Sequence, residues 1–112
     1  KQKPNVVIPV HFAGQPTYQE RIFKLSKKYG FKVIEDASHS LGAKRYNNKV
    51  GNCKFSDLTV FSFHPVKIIT TGEGGIVTTN DKKLYEKLNI YRNHGVTKNL
   101  NMMKVKWKKI QD

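Results

Sequence analysis

Two short apolar runs flank a single amphipathic stretch, and that order limits the fold more than any other feature. Val6, Val7, Ile8, Pro9 and Val10 form the first run and end in a turn-prone Ala13-Gly14-Gln15-Pro16. They read as a buried strand with its loop at the carboxyl end. Tyr18, Ile22, Leu25 and Tyr29 then recur at helical spacing, with charges between them. Thr17 and Glu20 have the spacing of a capping box, and Gly30 is placed to stop the helix. Phe31, Lys32, Val33, Ile34 and Glu35 give a second strand. Strand, helix and strand within about thirty residues make a βαβ unit, whose strands run parallel with a right-handed crossover.

Further on, residues 45–51 read as a turn at the tip of a hairpin. Leu58 to Phe63 is rich in β-branched and aromatic residues and predicts a third strand, and residues 75–79 predict a fourth. The link between these two holds no helix-length segment, so the fourth strand should run antiparallel if they pair. Asn80 or Asp81 is placed to cap a helix from Lys82 to about Arg92, with Leu84, Leu88 and Tyr91 on one face and Gly95 at its C-terminal cap. Residues 96–112 are rich in Lys and Asn, show little periodicity and read as a loop or frayed basic tail. The expected class is α/β, a mostly parallel sheet with one antiparallel strand.

Charge bears on function by what it fails to support. The formal net charge is +13, yet only Arg21, Arg45 and Arg92 are arginines. Bidentate recognition of bases or phosphates favours arginine, and most of the lysines are scattered. Lys104, Lys106, Lys108 and Lys109 do cluster, but Trp107 is the one aromatic among them, whereas single-strand binding wants aromatics interleaved with a basic groove. A nucleic-acid-binding module is thus the weaker reading. Cys53 is the only cysteine, so no intrachain disulfide can form. No apolar run approaches the ~20 residues of a membrane span, and no secretory leader pattern is visible. A soluble cytoplasmic protein is the expectation, with neither nucleic acid nor membrane as partner. The Cys and His positions lack metal-ligand spacing, so no metal site is expected.

Four positions carry chemistry when taken together. Asp36 follows an apolar strand, where parallel α/β sheets bind ligands. It could pair with a protonated ring nitrogen or simply cap a loop. His39 could approach a cofactor's phenolic oxygen or be a surface histidine. Ser62 could donate to a phosphate or satisfy nearby backbone. Lys67 lies among Val66, Ile68 and Ile69; partly buried, its amine would be a nucleophile for an aldehyde, and otherwise it keeps its head in water. An acid, an imidazole, a hydroxyl and an amine in this order suit a pyridoxal-phosphate pocket. Gly72, Gly74 and Gly75 lack the spacing of a dinucleotide or P-loop motif and read as a tight turn beside the lysine.

In sequence, Glu35-Asp36-Ala37-Ser38-His39, Ser62-Phe63-His64-Pro65-Val66-Lys67, Thr71-Gly72-Glu73-Gly74-Gly75 and Arg92-Asn93-His94-Gly95 resemble the DegT-type sugar-nucleotide aminotransferases. The stretch from Ile8 to Gly14 and the lysine motif look most like the branch that makes the 4-amino sugar of the pseudaminic acid pathway. The resemblance implies the pyridoxal-phosphate large domain of the aspartate-aminotransferase fold (fold type I). It implies pyridoxal 5'-phosphate as cofactor, Lys67 as Schiff-base lysine and proton shuttle, Asp36 at the ring nitrogen, His39 near the phenolic oxygen and Ser62 at the phosphate. His11, His64, Glu73 and His94 become candidate pocket residues. It further implies transfer of an amino group, with glutamate the usual donor, to a keto-sugar nucleotide for surface-glycan or flagellin glycosylation, in a homodimer. Against that family, residues 1–95 read as the central part of the large domain. The 112-residue chain alone is expected to have little or no transaminase activity. A non-catalytic remnant of such an enzyme is the alternative.

Overall fold

The computed structural model describes residues 2–96. The chain divides into two units, one running to Asp81 and the other from Lys82 onward. The first unit holds β1 (Val6–Val7), α1 (Gln19–Tyr29), β2 (Lys32–Asp36), the short pair β3 (Lys44–Arg45) and β4 (Asn48–Lys49), β5 (Leu58–Ser62) and β6 (Gly75–Thr78). The second holds α2 (Lys82–Arg92). The expected basic tail lies outside the described residues, apart from Val96.

The main sheet has the order β1-β2-β5-β6. β1 pairs parallel with β2, Val6 opposite Lys32, and β2 pairs parallel with β5, Asp36 opposite Val60. β5 and β6 are antiparallel, with Ser62 opposite Gly75. The βαβ unit, the hairpin at 45–51 and the reversed last strand therefore stand as the sequence predicts. The core is small: Val33, Ala37, Val50, Cys53 and Phe61 are buried, and Leu41, Ala43 and Phe63 pack against the cluster of Ala37, Val50 and Phe61. Phe23 of α1 meets Phe55 edge-on at 5.9 Å between ring centroids.

Three local expectations are corrected. The first run is an edge strand, not a buried one: β1 spans only two residues, and Val6, Ile8 and Val10 are exposed. Pro9 has no N–H to continue a ladder, and Val10 rejoins the sheet only as an isolated bridge to Asp36. The capping box does not form. α1 begins at Gln19 with Tyr18 at its cap, without a side-chain cap bond. Glu20 instead receives a two-pronged bond from Arg45, Nε to Oε2 at 3.1 Å and Nη2 to Oε1 at 3.0 Å. That bidentate pair is the stronger claim on the carboxylate. The guanidinium also lies over the Tyr18 ring, 4.3 Å from its centroid. At the other end Gly30 adopts φ 78° and closes the helix as expected.

α2 ends differently from the expectation. The Gly95 N–H donates to Ile90 O at 2.9 Å and the His94 N–H to Tyr91 O at 3.0 Å. This is the Schellman pattern, which puts His94 at the left-handed position, φ 56°, with Gly95 one residue beyond it.

Candidate functional site

β2 and β5 run parallel, so their carboxyl ends open on one edge of the sheet. Asp36 is the last residue of β2 and Ser62 the last of β5. Because β6 is antiparallel and Gly75 lies opposite Ser62, the loop 63–74 leaves that edge and returns to it. Lys67 rides on this loop. Two bonds at Phe63 close the loop: its N–H donates to Gly74 O at 2.9 Å and its carbonyl accepts from Thr71 N at 3.0 Å. Inside it, the Lys67 N–H donates to His64 O at 2.9 Å. Gly75 has to be glycine, since a Cβ there would lie 2.7 Å from the Phe61 carbonyl oxygen.

Asp36 is half-buried, and its Oδ1 accepts the Ser38 N–H at 3.0 Å. Hydrogen bonding from Ser38 holds this carboxyl below the usual aspartate range, against a smaller opposing effect of burial. Nearby His39 and Lys67 act in the same direction as Ser38. His39 and Lys67 are thus each within electrostatic reach of Asp36. Lys67 is half-buried, while Val66, Ile68 and Ile69 around it are exposed, so the apolar lysine pocket read from the sequence is not closed by these neighbours. His39 is exposed and meets Phe12 edge-on, 6.0 Å between ring centroids.

The remaining candidates separate. The Ser62 hydroxyl lies at the same edge and accepts the His64 N–H at 3.4 Å. The exposed His64 and Glu73 stand near opposite ends of the lysine loop, and Glu73 uses its carbonyl to accept the Thr71 hydroxyl. His11 joins the edge through its backbone alone: its N–H donates to Asp36 O at 2.9 Å, and its ring is fully buried. His94 belongs to the second unit, at the end of α2.

A second group of polar residues lies inside the fold and was not anticipated. Glu35 is 1% exposed. It accepts from Gln19 Nε2 on one oxygen and from Ser56 and Thr59 hydroxyls, at 3.2 and 2.9 Å, on the other. His11 Nε2 lies 3.8 Å from Glu35 Oε1, too far for a hydrogen bond but close for charge and dipole. Burial would raise the Glu35 carboxyl, but the groups from His11, Gln19 and Thr59 outweigh it and hold the carboxyl below the ordinary range. The signal was present in the sequence: Val33, Glu35 and Ala37 alternate on one face of a strand, so an acid sat in a core register. Among the described residues no group of three His, Cys, Asp or Glu is arranged to hold a metal, and no helix is long and apolar enough to cross a membrane.

Comparison with known proteins agrees with this architecture. The profile of the DegT/DnrJ/EryC1/StrS aminotransferase family matches residues 1–110. The UDP-4-amino-4,6-dideoxy-N-acetyl-beta-L-altrosamine transaminase of Campylobacter jejuni (serotype O:2) is 45% identical over 100 residues, covering 88% of this chain and 26% of the relative. Among solved structures, Helicobacter pylori PseC, an aminotransferase involved in the biosynthesis of pseudoaminic acid, matches with a TM-score of 0.76 at 43% identity, over 88% of this chain and 26% of that one. Bacillus subtilis NtdA with bound cofactor PMP matches with a TM-score of 0.76 at 29% identity, over 91% and 22%. The chain spans about a quarter of the length of these relatives. Its fold is that of part of a fold type I aminotransferase, mostly parallel with one reversed strand.

Proposed function

Because the chain belongs to the DegT/DnrJ/EryC1/StrS aminotransferase family, we propose that its sheet edge is the cofactor face of a pyridoxal-phosphate-dependent sugar aminotransferase. Residues 1–95 are then the central part of the large domain. The observation that carries this reading is that Asp36 ends β2 at the same sheet edge where β5 ends and the loop bearing Lys67 begins and returns, with the Asp36 carboxyl held below its usual range. The donor set suits the cofactor's chemistry: an anion for a ring N–H, a hydroxyl for a phosphate, and an amine for an aldehyde. When bound, pyridoxal phosphate supplies that aldehyde and an electron-withdrawing ring.

The chain's own residues then divide the work. Asp36 would hold the ring nitrogen protonated by charge and hydrogen bonding, Ser62 would donate to the phosphate, and His39 would stand toward the phenolic oxygen. The Lys67 amine would hold the cofactor through its aldehyde, and as a free amine would be the base for the proton at the substrate carbon. The names of the relatives support a keto-sugar nucleotide as amino acceptor, as in nucleotide-sugar biosynthesis. We assign glutamate as donor, a homodimer as the working form and the cytoplasm as its place. His64, Glu73 and His94 remain candidate substrate contacts.

The test is chemical. The 112-residue chain is mixed with pyridoxal phosphate, reduced with borohydride and mapped by mass spectrometry. A reduced adduct on Lys67 that is absent in Lys67→Ala is the expected result. Label spread over many lysines, unchanged by that substitution, overturns the assignment of Lys67.

A further inference from the structure

Asp36 is clamped at its backbone by the segment that carries His11. The Asp36 N–H donates to Pro9 O at 2.9 Å, and Asp36 O accepts the His11 N–H at 2.9 Å. These bonds fix the peptide planes on both sides of the Asp36 Cα. The His11 ring is itself held. Its Nδ1 accepts the Thr17 N–H at 3.1 Å, so the ring hydrogen sits on Nε2. That nitrogen is buried with no hydrogen-bond partner among the described residues, and it faces Glu35 Oε1 at 3.8 Å. Glu35 in turn is fixed by Gln19, Ser56 and Thr59. Because side chains alternate along a strand, Glu35 points inward while Asp36, its neighbour, serves the edge.

We propose that His11, through Nε2 facing Glu35, is a positioning residue that holds the Asp36 backbone and so keeps the Asp36 carboxylate within reach of Lys67. The inference rests on the reading of Asp36 as the group at the cofactor's ring nitrogen. His11 touches no reacting atom. Its buried ring sets residue 11 beside a carboxylate that three other side chains hold still, and residue 11 hands that rigidity to Asp36 through one backbone hydrogen bond, His11 N–H to Asp36 O.

Two substitutions separate this role from simple filling of space. His11→Asn keeps an acceptor near the Nδ1 position for Thr17 and loses the donor toward Glu35. His11→Gln reaches the Nε2 position and keeps that donor. The 112-residue chain is studied by NMR without cofactor, following the Asp36 carboxyl carbon through an acid titration and the exchange of the amides of residue 11 and Asp36. In His11→Asn the Asp36 titration should move up toward the ordinary aspartate range, and those two amides should lose about tenfold in protection while the β5–β6 amides keep theirs. His11→Gln should behave as wild type. The proposal is overturned if folded His11→Asn leaves Asp36 unchanged, if His11→Gln shifts as far as His11→Asn, or if His11→Gln fails to fold. Should only His11→Asn fail to fold, the Asp36 titration in His11→Gln decides: wild-type behaviour supports the proposal and a shift overturns it. None of these readouts needs pyridoxal phosphate, so failure of the Lys67 labelling leaves this result standing, and the reverse.

Discussion

Glu35 and Asp36 are adjacent acids on one strand, and they live under opposite rules. Glu35 is sealed inside, with its oxygens engaged by Gln19, Ser56 and Thr59. Asp36 is half-exposed, and its carboxylate accepts one hydrogen bond, from the Ser38 N–H. Both carboxyls titrate below their ordinary range, but for different reasons: Glu35 because its contacts overcome burial, Asp36 because Ser38 and nearby positive groups act with little burial against them. A carboxylate whose acceptor sites are filled by its own protein specifies the fold. One left with open acceptor sites is available to something else.

The comparison breaks most visibly at Glu35. Glu35→Ala strands the Gln19 amide and frees two hydroxyls in a dry interior, and should cost about 3 kcal/mol in denaturant unfolding. Much of a small domain's stability would go with it. The same residue sets an acid dependence. A carboxyl with a lowered folded value contributes stability that is present above its unfolded value of about 4.3 and is lost as pH falls through the folded value. Asp36 and Asp57 act in the same direction. Stability should therefore fall below about pH 4, and Glu35→Ala should show a shallower fall. A variant as steep as wild type would mean that the pair differs less than its contacts indicate.

Asp36→Asn sharpens the contrast from the other side. It should cost less than about 1 kcal/mol of stability, because asparagine keeps an oxygen that accepts the Ser38 N–H and only the charge is lost, while retention of pyridoxal phosphate on Lys67 falls severalfold. Loss of stability comparable to Glu35→Ala would place Asp36 with the structural acids. Smallest of all, Lys32→Ala removes the ion pair to Asp57, 2.8 Å long but with the lysine 69% exposed. It should change stability by less than about 1 kcal/mol, and less again in high salt. That pair is the baseline against which both acids are measured.

Much of the scaffold was legible in the sequence. Short runs rich in β-branched and aromatic residues marked β2 and β5, helical spacing marked α1, and the short link before Gly75 required β6 to reverse. What escaped was partner choice. Glu20 fits a capping box locally, and only the fold brings Arg45 to compete for it, 25 positions away. Gly95 looked like the helix stop because glycine favours the left-handed region, yet the bond from Gly95 to Ile90 puts His94 there first. His11 entered as a pocket candidate through the resemblance alone, which does not say which way its ring turns, and the ring is fully buried. The candidate site itself was legible mainly through resemblance: no spacing rule joins Asp36 to the loop that carries Lys67, which share one edge only because two parallel strands end there.

The Glu35 node also bears on how the chain reaches its fold. Its partners arrive from residues 11, 19, 56 and 59, three separate stretches of sequence. A carboxylate gives up its water only when replacement donors are in place. The interior therefore cannot dry around Glu35 until the loop before α1, α1 itself and β5 have already met. Closure of this node belongs late on the folding path, after the strands have found one another, and it works as a checkpoint that a wrongly registered sheet could not pass.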